Sequence, residues 1–225
     1  MQSGRMESNW AAEHLQVIRT LMERAAVYRR ALAPIMTLTG ALGTIAALLG
    51  WWVNIRTPSA FAGYWMAVSL LALAGALLLV RRQALKDAEP FWSLSTRRVA
   101  QAFLPPLAAG LVLGLVVLMQ CGEKNLAEQS IEHRDLAFRV GLAWLPLCWV
   151  ILYGCSIHAA GFFMRRGMKL FGWIFIVGGC ARFAFGLPAE PPSLLAHGIM
   201  GVFFGVLHLG YGTYLFFTEK NRPTA

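Results

Sequence analysis

The stretch Arg81–Arg98, RRQALKDAEPFWSLSTRR, is an eighteen-residue polar island between two long apolar runs, with an arginine pair at each end. Once this segment is assigned to one side of a membrane, the side of every other loop follows. The runs that flank it are long enough to cross about 30 Å of hydrocarbon, which takes about 20 apolar residues in a helix. Four more such runs occur in the chain. Only 14% of residues are charged, against about 25% in an ordinary soluble domain. A soluble fold of 225 residues has no interior large enough to hide six such helices.

The reading is therefore an all-α integral membrane protein with six transmembrane helices. It divides into an amphipathic helix within residues 1–30, a transmembrane domain at 31–217 and a short tail at 218–225. Expected spans are 31–53, 60–80, 99–121, 139–164, 170–187 and 193–217. In residues 8–30, Trp10, His14, Ile18, Leu21, Ala25 and Tyr28 recur at spacings of three and four, which stacks them on one helix face. The modest apolarity of that face favours docking on the protein's own cytosolic loops over lying in the membrane interface. The first apolar run begins near Ala31, too late for a cleavable signal peptide.

Charge sets the orientation. Residues 1–30, 81–98, 165–169 and 218–225 hold fifteen of the twenty Lys and Arg. The other side holds Arg56, Lys124, Arg134, Arg139 and Arg182. With the acids included, the first set carries the whole net charge of +9 and the second carries none. By the positive-inside rule both termini are cytosolic and the membrane is a cell inner or plasma membrane. A pI near 10 thus reports topology, and nucleic acid is excluded as a partner.

Small and aromatic residues supply the packing signals. Gly40, Gly43, Ala47 and Gly50 form a stripe on the first span, and Gly198, Gly201, Gly205, Gly210 and Gly212 crowd the sixth. Such residues let helix backbones approach closely in a bilayer. Pro105 and Pro106 should bend the third span or end a preceding turn. Trp51, Trp52, Tyr64 and Trp65 match an interfacial aromatic belt. Segment 122–138 reads as a polar loop with a short capped helix, Asn125 preceding Glu128 by three residues. The Pro-Pro pairs at 105–106 and 191–192, each followed by a GxxxG step, sketch an inverted repeat of three helices.

The chemistry is mostly one of absence. No span interior contains Asp or Glu, the carboxylate that cation-coupled transporters keep there. The four cysteines show no metal-ligand spacing, and Cys121, at a membrane edge, should be the most accessible. Intramembrane ionisable groups are His158, His197, His208 and Arg182. His197 and His208 are eleven residues apart, about 16 Å along one helix face, with Gly201 and Gly205 between them. His158 and His208 fall in the same half of the membrane. Haem ligated by two such histidines, with glycines making room for the ring, is one candidate cofactor use. Simple hydrogen bonding to neighbouring helices is the other. Glu128, Glu132, His133 and Asp135 form an acidic cluster that reads as a solvated helix, and Arg182 as a side chain snorkelling to the interface towards Glu190.

No catalytic motif or nucleotide-binding glycine loop occurs. The residues support a non-catalytic interaction or regulatory membrane protein that works through its basic cytosolic face, meeting a cytosolic protein partner or anionic lipid. A small-molecule transporter and a haem- or quinone-binding redox subunit are the alternatives. Within the opening stretch, Asp87, Glu89, Phe91 and Trp92 are candidates to seat the N-terminal helix through Arg24, Arg29 or Arg30.

Overall fold

The computed structural model describes residues 26–86, 88, 94–122, 130–164, 166–185 and 193–220, without the side chains of 26–30, 94–95, 166 and 219–220. Among the described residues all regular structure is helical, and six helices are long and apolar enough to cross a membrane. They are α1 (Ala26–Trp52), α2 (Pro58–Lys86), α3 (Leu94–Gln120), a fourth span built of α4 (Ile131–Arg139), π1 (Val140–Trp144) and α5 (Leu145–Ala160), then α6 (Arg166–Ala184), and a sixth span built of α7 (Ser193–Met200), π2 (Gly201–Val206) and α8 (Leu207–Lys220). Short connections make successive spans antiparallel. The ends of α2, α5 and α8 therefore share one face with the starts of α1, α3 and α6.

Helix α1 begins at Ala26 and passes without a break through Ala31 into the first span. One boundary differs from the sequence reading. The fourth span starts at Ile131, not Arg139. Ser130 caps it by accepting from the His133 N–H, and the polar turn IEHRDLAFR continues directly into the apolar helix. Polarity marks where the helix leaves the hydrocarbon, whereas the cap marks where it starts. Helix α3 runs unbroken through Pro105 and Pro106. Two cross-helix donors reach its carbonyls: Ser156 Oγ to Phe103 O at 3.2 Å and Trp149 Nε1 to Gly110 O at 2.7 Å.

The fourth span is the axle of the bundle: 61% of its most apolar window is buried, against 6% in α2. It packs on α3, α6 and the sixth span. A π-turn precedes Pro146, which has no N–H for an α-helical bond, and there Leu145 N–H bonds Val140 O instead.

The two glycine stripes turn out to be one feature. α1 and the sixth span run antiparallel with Thr37 against Gly212, Gly40 against Leu209, Thr44 against Gly205, Ala47 against Gly201 and Gly50 against His197. A methyl group on Gly40 would stand 2.5 Å from the Leu209 nitrogen, and one on Gly205 2.8 Å from the Thr44 nitrogen. Backbone therefore meets backbone along most of the contact. Gly154 and Gly172 do the same between α5 and α6, where the Gly172 position faces the His158 nitrogen. Gly198 and Gly210 take no part, since a methyl on either meets nothing within 4 Å.

Candidate functional site

The polar chemistry inside the bundle is concentrated on three histidines, and each is built into a different place. His197 lies at the end where α1 turns into α2. Its Nδ1 accepts from Trp65 Nε1 at 3.2 Å, and its Nε2 donates to the Ile55 carbonyl at 3.3 Å. The indole can only donate and the carbonyl can only accept, so the ring is neutral with its proton on Nε2. Phe61 and Tyr64 meet it edge-on at 5.1 and 6.1 Å between ring centroids. Tyr64 also donates to Ala46 O at 2.7 Å, tying α2 to α1. Trp65 is therefore a buried partner of His197 and not part of the aromatic belt. Trp51 and Trp52 are exposed as that belt requires.

His208 sits in the opposite half and is fully buried. Here the assignment reverses. Nδ1 donates to Phe203 O at 2.9 Å, which leaves Nε2 to accept from Tyr153 Oη at 2.8 Å. The π2 turn belongs to the same arrangement. In it the Leu207 N–H bonds Val202 O, five residues back. Phe171, Phe175 and Phe204 enclose the imidazole, with centroids at 5.2, 5.4 and 6.1 Å.

His158 lies where α5 meets the turn into α6. Its Nδ1 faces the Lys169 carbonyl at 3.3 Å, and its ring meets Phe162 and Trp173 edge-on, both at 5.4 Å. His158 and His208 thus engage separate partners, and the structure does not bring them together as an axial pair. The glycine face that a haem ring would need is filled by Thr44 and Ala47. His208 has both ring nitrogens committed. The residues present do not fit a bis-histidine haem.

His197, Gly201, Gly205 and His208 are all buried. His197, Gly201 and Gly205 lie against α1, whereas His208, beyond the π2 turn, meets Tyr153 of α5 and Phe171 and Phe175 of α6. Among the described residues no buried side-chain nitrogen or oxygen lacks a hydrogen-bond partner. Nor do three or more His, Cys, Asp or Glu of that set converge on a metal position.

The remaining candidates separate by position. Glu132, His133 and Asp135 are exposed on the first turns of the fourth span, while Glu128 lies outside the described residues. Arg182 is half-buried near the end of α6, and Glu190 lies outside the described residues. Cys121 corrects the sequence reading: it is buried against Ala62, Val117 and Leu145, while Cys180 is the exposed thiol. Burial pushes the Cys121 thiol above its ordinary pKa. The seat proposed for the N-terminal helix, Asp87, Glu89, Phe91 and Trp92 with Arg24, lies outside the described residues, as do the side chains of Arg29 and Arg30. The helix ends that flank it are described. Arg81, Arg82, Lys86, Arg97 and Arg98 are all exposed, while Ala84, Thr96 and Val99 between them are buried.

No protein-family model, curated protein or solved structure matches the chain.

Proposed function

We propose that the chain is a non-catalytic interaction or regulatory protein of a cell inner or plasma membrane, with both termini cytosolic, working through the basic end of its bundle. One observation carries this reading: five cations on α2 and α3 point outward from helix ends that are themselves anchored by buried Ala84, Thr96 and Val99. A rigid base that presents clustered charge suits an acidic cytosolic protein, because electrostatic complementarity steers and orients such encounters. Residues 1–30 are the natural modulator of that face, seated on Asp87–Trp92 through Arg24, Arg29 and Arg30.

The transporter and redox alternatives draw no support from the interior. A transporter asks for a polar, hydrated cavity beside His158 and His208, and His208 is wrapped in aromatic rings.

The test is affinity capture of the tagged full chain beside a variant with Arg81, Arg82, Arg97 and Arg98 changed to Gln. Terminal reporter fusions verify that orientation is kept. Loss of a specific acidic cytosolic partner from the variant supports the proposal, and an identical partner set from both proteins overturns it. Charge reversal at Asp87 and Glu89 should change the captured set if residues 1–30 gate the face.

A further inference from the structure

A second surface, apart from the Arg81–Arg98 face and not dependent on its role, lies where α5 turns into α6. Leu170, Trp173, Ile174 and Val177 of α6 are each about half exposed or more. Their spacings of three and four place them in one stripe running down the span. The alternate face of α6, Met168, Phe171 and Phe175, is buried against the rest of the bundle. At the head of the stripe the Lys169 ammonium stands 3.7 Å from the centre of the exposed Phe162 ring. Trp173, one turn below, packs edge-on against His158, whose Nδ1 faces the Lys169 carbonyl. The cation is thus held at a fixed height above an apolar track.

We infer that this surface is a binding site for one anionic phospholipid, with an acyl chain along Leu170–Val177 and the phosphate at Lys169. Its shape selects the ligand. The stripe faces sideways along a membrane span, where a water-borne peptide cannot lie and an acyl chain must. An ammonium over a ring face keeps donors for an anion on its other side, and the ring attraction holds it near the interface. Among residues whose side chains are described, the carboxylates Glu132 and Asp135 stand at the opposite end of the bundle, while Glu219 closes α8 on the Lys169 side.

The experiment is native mass spectrometry of the full-length protein in a zwitterionic detergent, titrated with phosphatidylglycerol and phosphatidylcholine of identical chains. Phosphatidylglycerol should bind about five-fold more tightly for the one cation at the site. Lys169→Gln should abolish that preference and Lys169→Arg should retain it, with gel filtration confirming that each variant is folded. Equal affinity for the two lipids in the wild-type protein overturns the inference without any variant. So does a preference that survives Lys169→Gln. Soluble glycerophosphoglycerol, which carries the headgroup without chains, should fail to displace the lipid. Displacement at equal concentration would make this a free-anion site and overturn the lipid assignment.

Discussion

The backbone of Gly50 lies against the imidazole of His197, closer than any side chain at position 50 allows. That ring in turn accepts a hydrogen bond from Trp65 Nε1 and donates one to Ile55 O. One histidine therefore joins the first, second and sixth spans and the connection between two of them. Gly50→Ala should displace the ring and break both bonds, costing about 1–3 kcal/mol as an overpacked core does. Trp65→Phe removes one donor only and should cost about 1 kcal/mol. Because the first change already breaks the second's bond, the double variant should lose little beyond Gly50→Ala alone. Thermal unfolding in detergent measures all three, and additive losses would show that the ring does not couple them.

The sixth span offers a sharper contrast, because the same substitution should have opposite signs on its two faces. Gly205→Ala pushes a methyl into the Thr44 backbone, and Gly40→Ala does so against Leu209 from the other side. Each should destabilise by about 1–3 kcal/mol. Gly198→Ala and Gly210→Ala meet nothing within 4 Å and gain helix propensity worth up to about 1 kcal/mol. These two should leave the unfolding midpoint unchanged or raised. A uniform response of all four glycines would mean that the antiparallel register of α1 and the sixth span is wrong.

This contrast shows how far the sequence could be read. Six apolar runs and the split of charge between loops are properties of single segments, so they are legible one segment at a time. The two glycine stripes were equally visible, but their mutual contact depends on which helices become neighbours, and no periodicity encodes that. The start of the fourth span is hidden in the sequence for a related reason. Polar Glu132, Arg134 and Asp135 look like a loop, yet Ser130 caps the helix before them. The serine and the Glu132 that follows it were the available signal. Burial of Cys121 rests on Ala62 and Leu145, which lie 59 and 24 residues away in the chain.

Cys121 gives a pH-dependent test. Its thiol pKa is raised by burial, so the thiolate becomes populated only above the ordinary thiol range. Maleimide labelling of Cys121 in the folded protein should be slow at pH 7 to 8 and should rise with pH through that window. In denaturant the labelling should be fast already near pH 8, because the unfolded thiol ionises at its ordinary value. The sign for stability follows: the folded state favours the protonated thiol, so alkaline pH weakens folding slightly. Rapid labelling of folded Cys121 at neutral pH would contradict its burial.

The commitment of both His208 nitrogens predicts a colourless protein. Expression with ample haem should give purified material with no Soret absorbance. A Soret band that disappears in His208→Phe would show that the imidazole leaves Tyr153 and Phe203 O to bind iron.

The same commitment makes Tyr153 and His208 an energetic unit. The Phe203 carbonyl fixes the ring proton on Nδ1, so the Nε2 lone pair depends on the Tyr153 hydroxyl. Tyr153→Phe strands that lone pair among Phe171, Phe175 and Phe204, where no water compensates, and should cost about 1–3 kcal/mol. His208→Phe strands the hydroxyl instead and should cost a similar amount. The double variant removes donor and acceptor together and replaces them with rings of comparable shape, so its loss should fall below the sum of the two singles by at least about 1 kcal/mol. Hydrogen bonds inside membrane proteins average about 0.6 kcal/mol because the unfolded chain finds other partners. A pair enclosed by aromatic rings should exceed that average. Losses that add, measured by unfolding in detergent, would show that the bond contributes nothing and that aromatic packing alone fixes the imidazole.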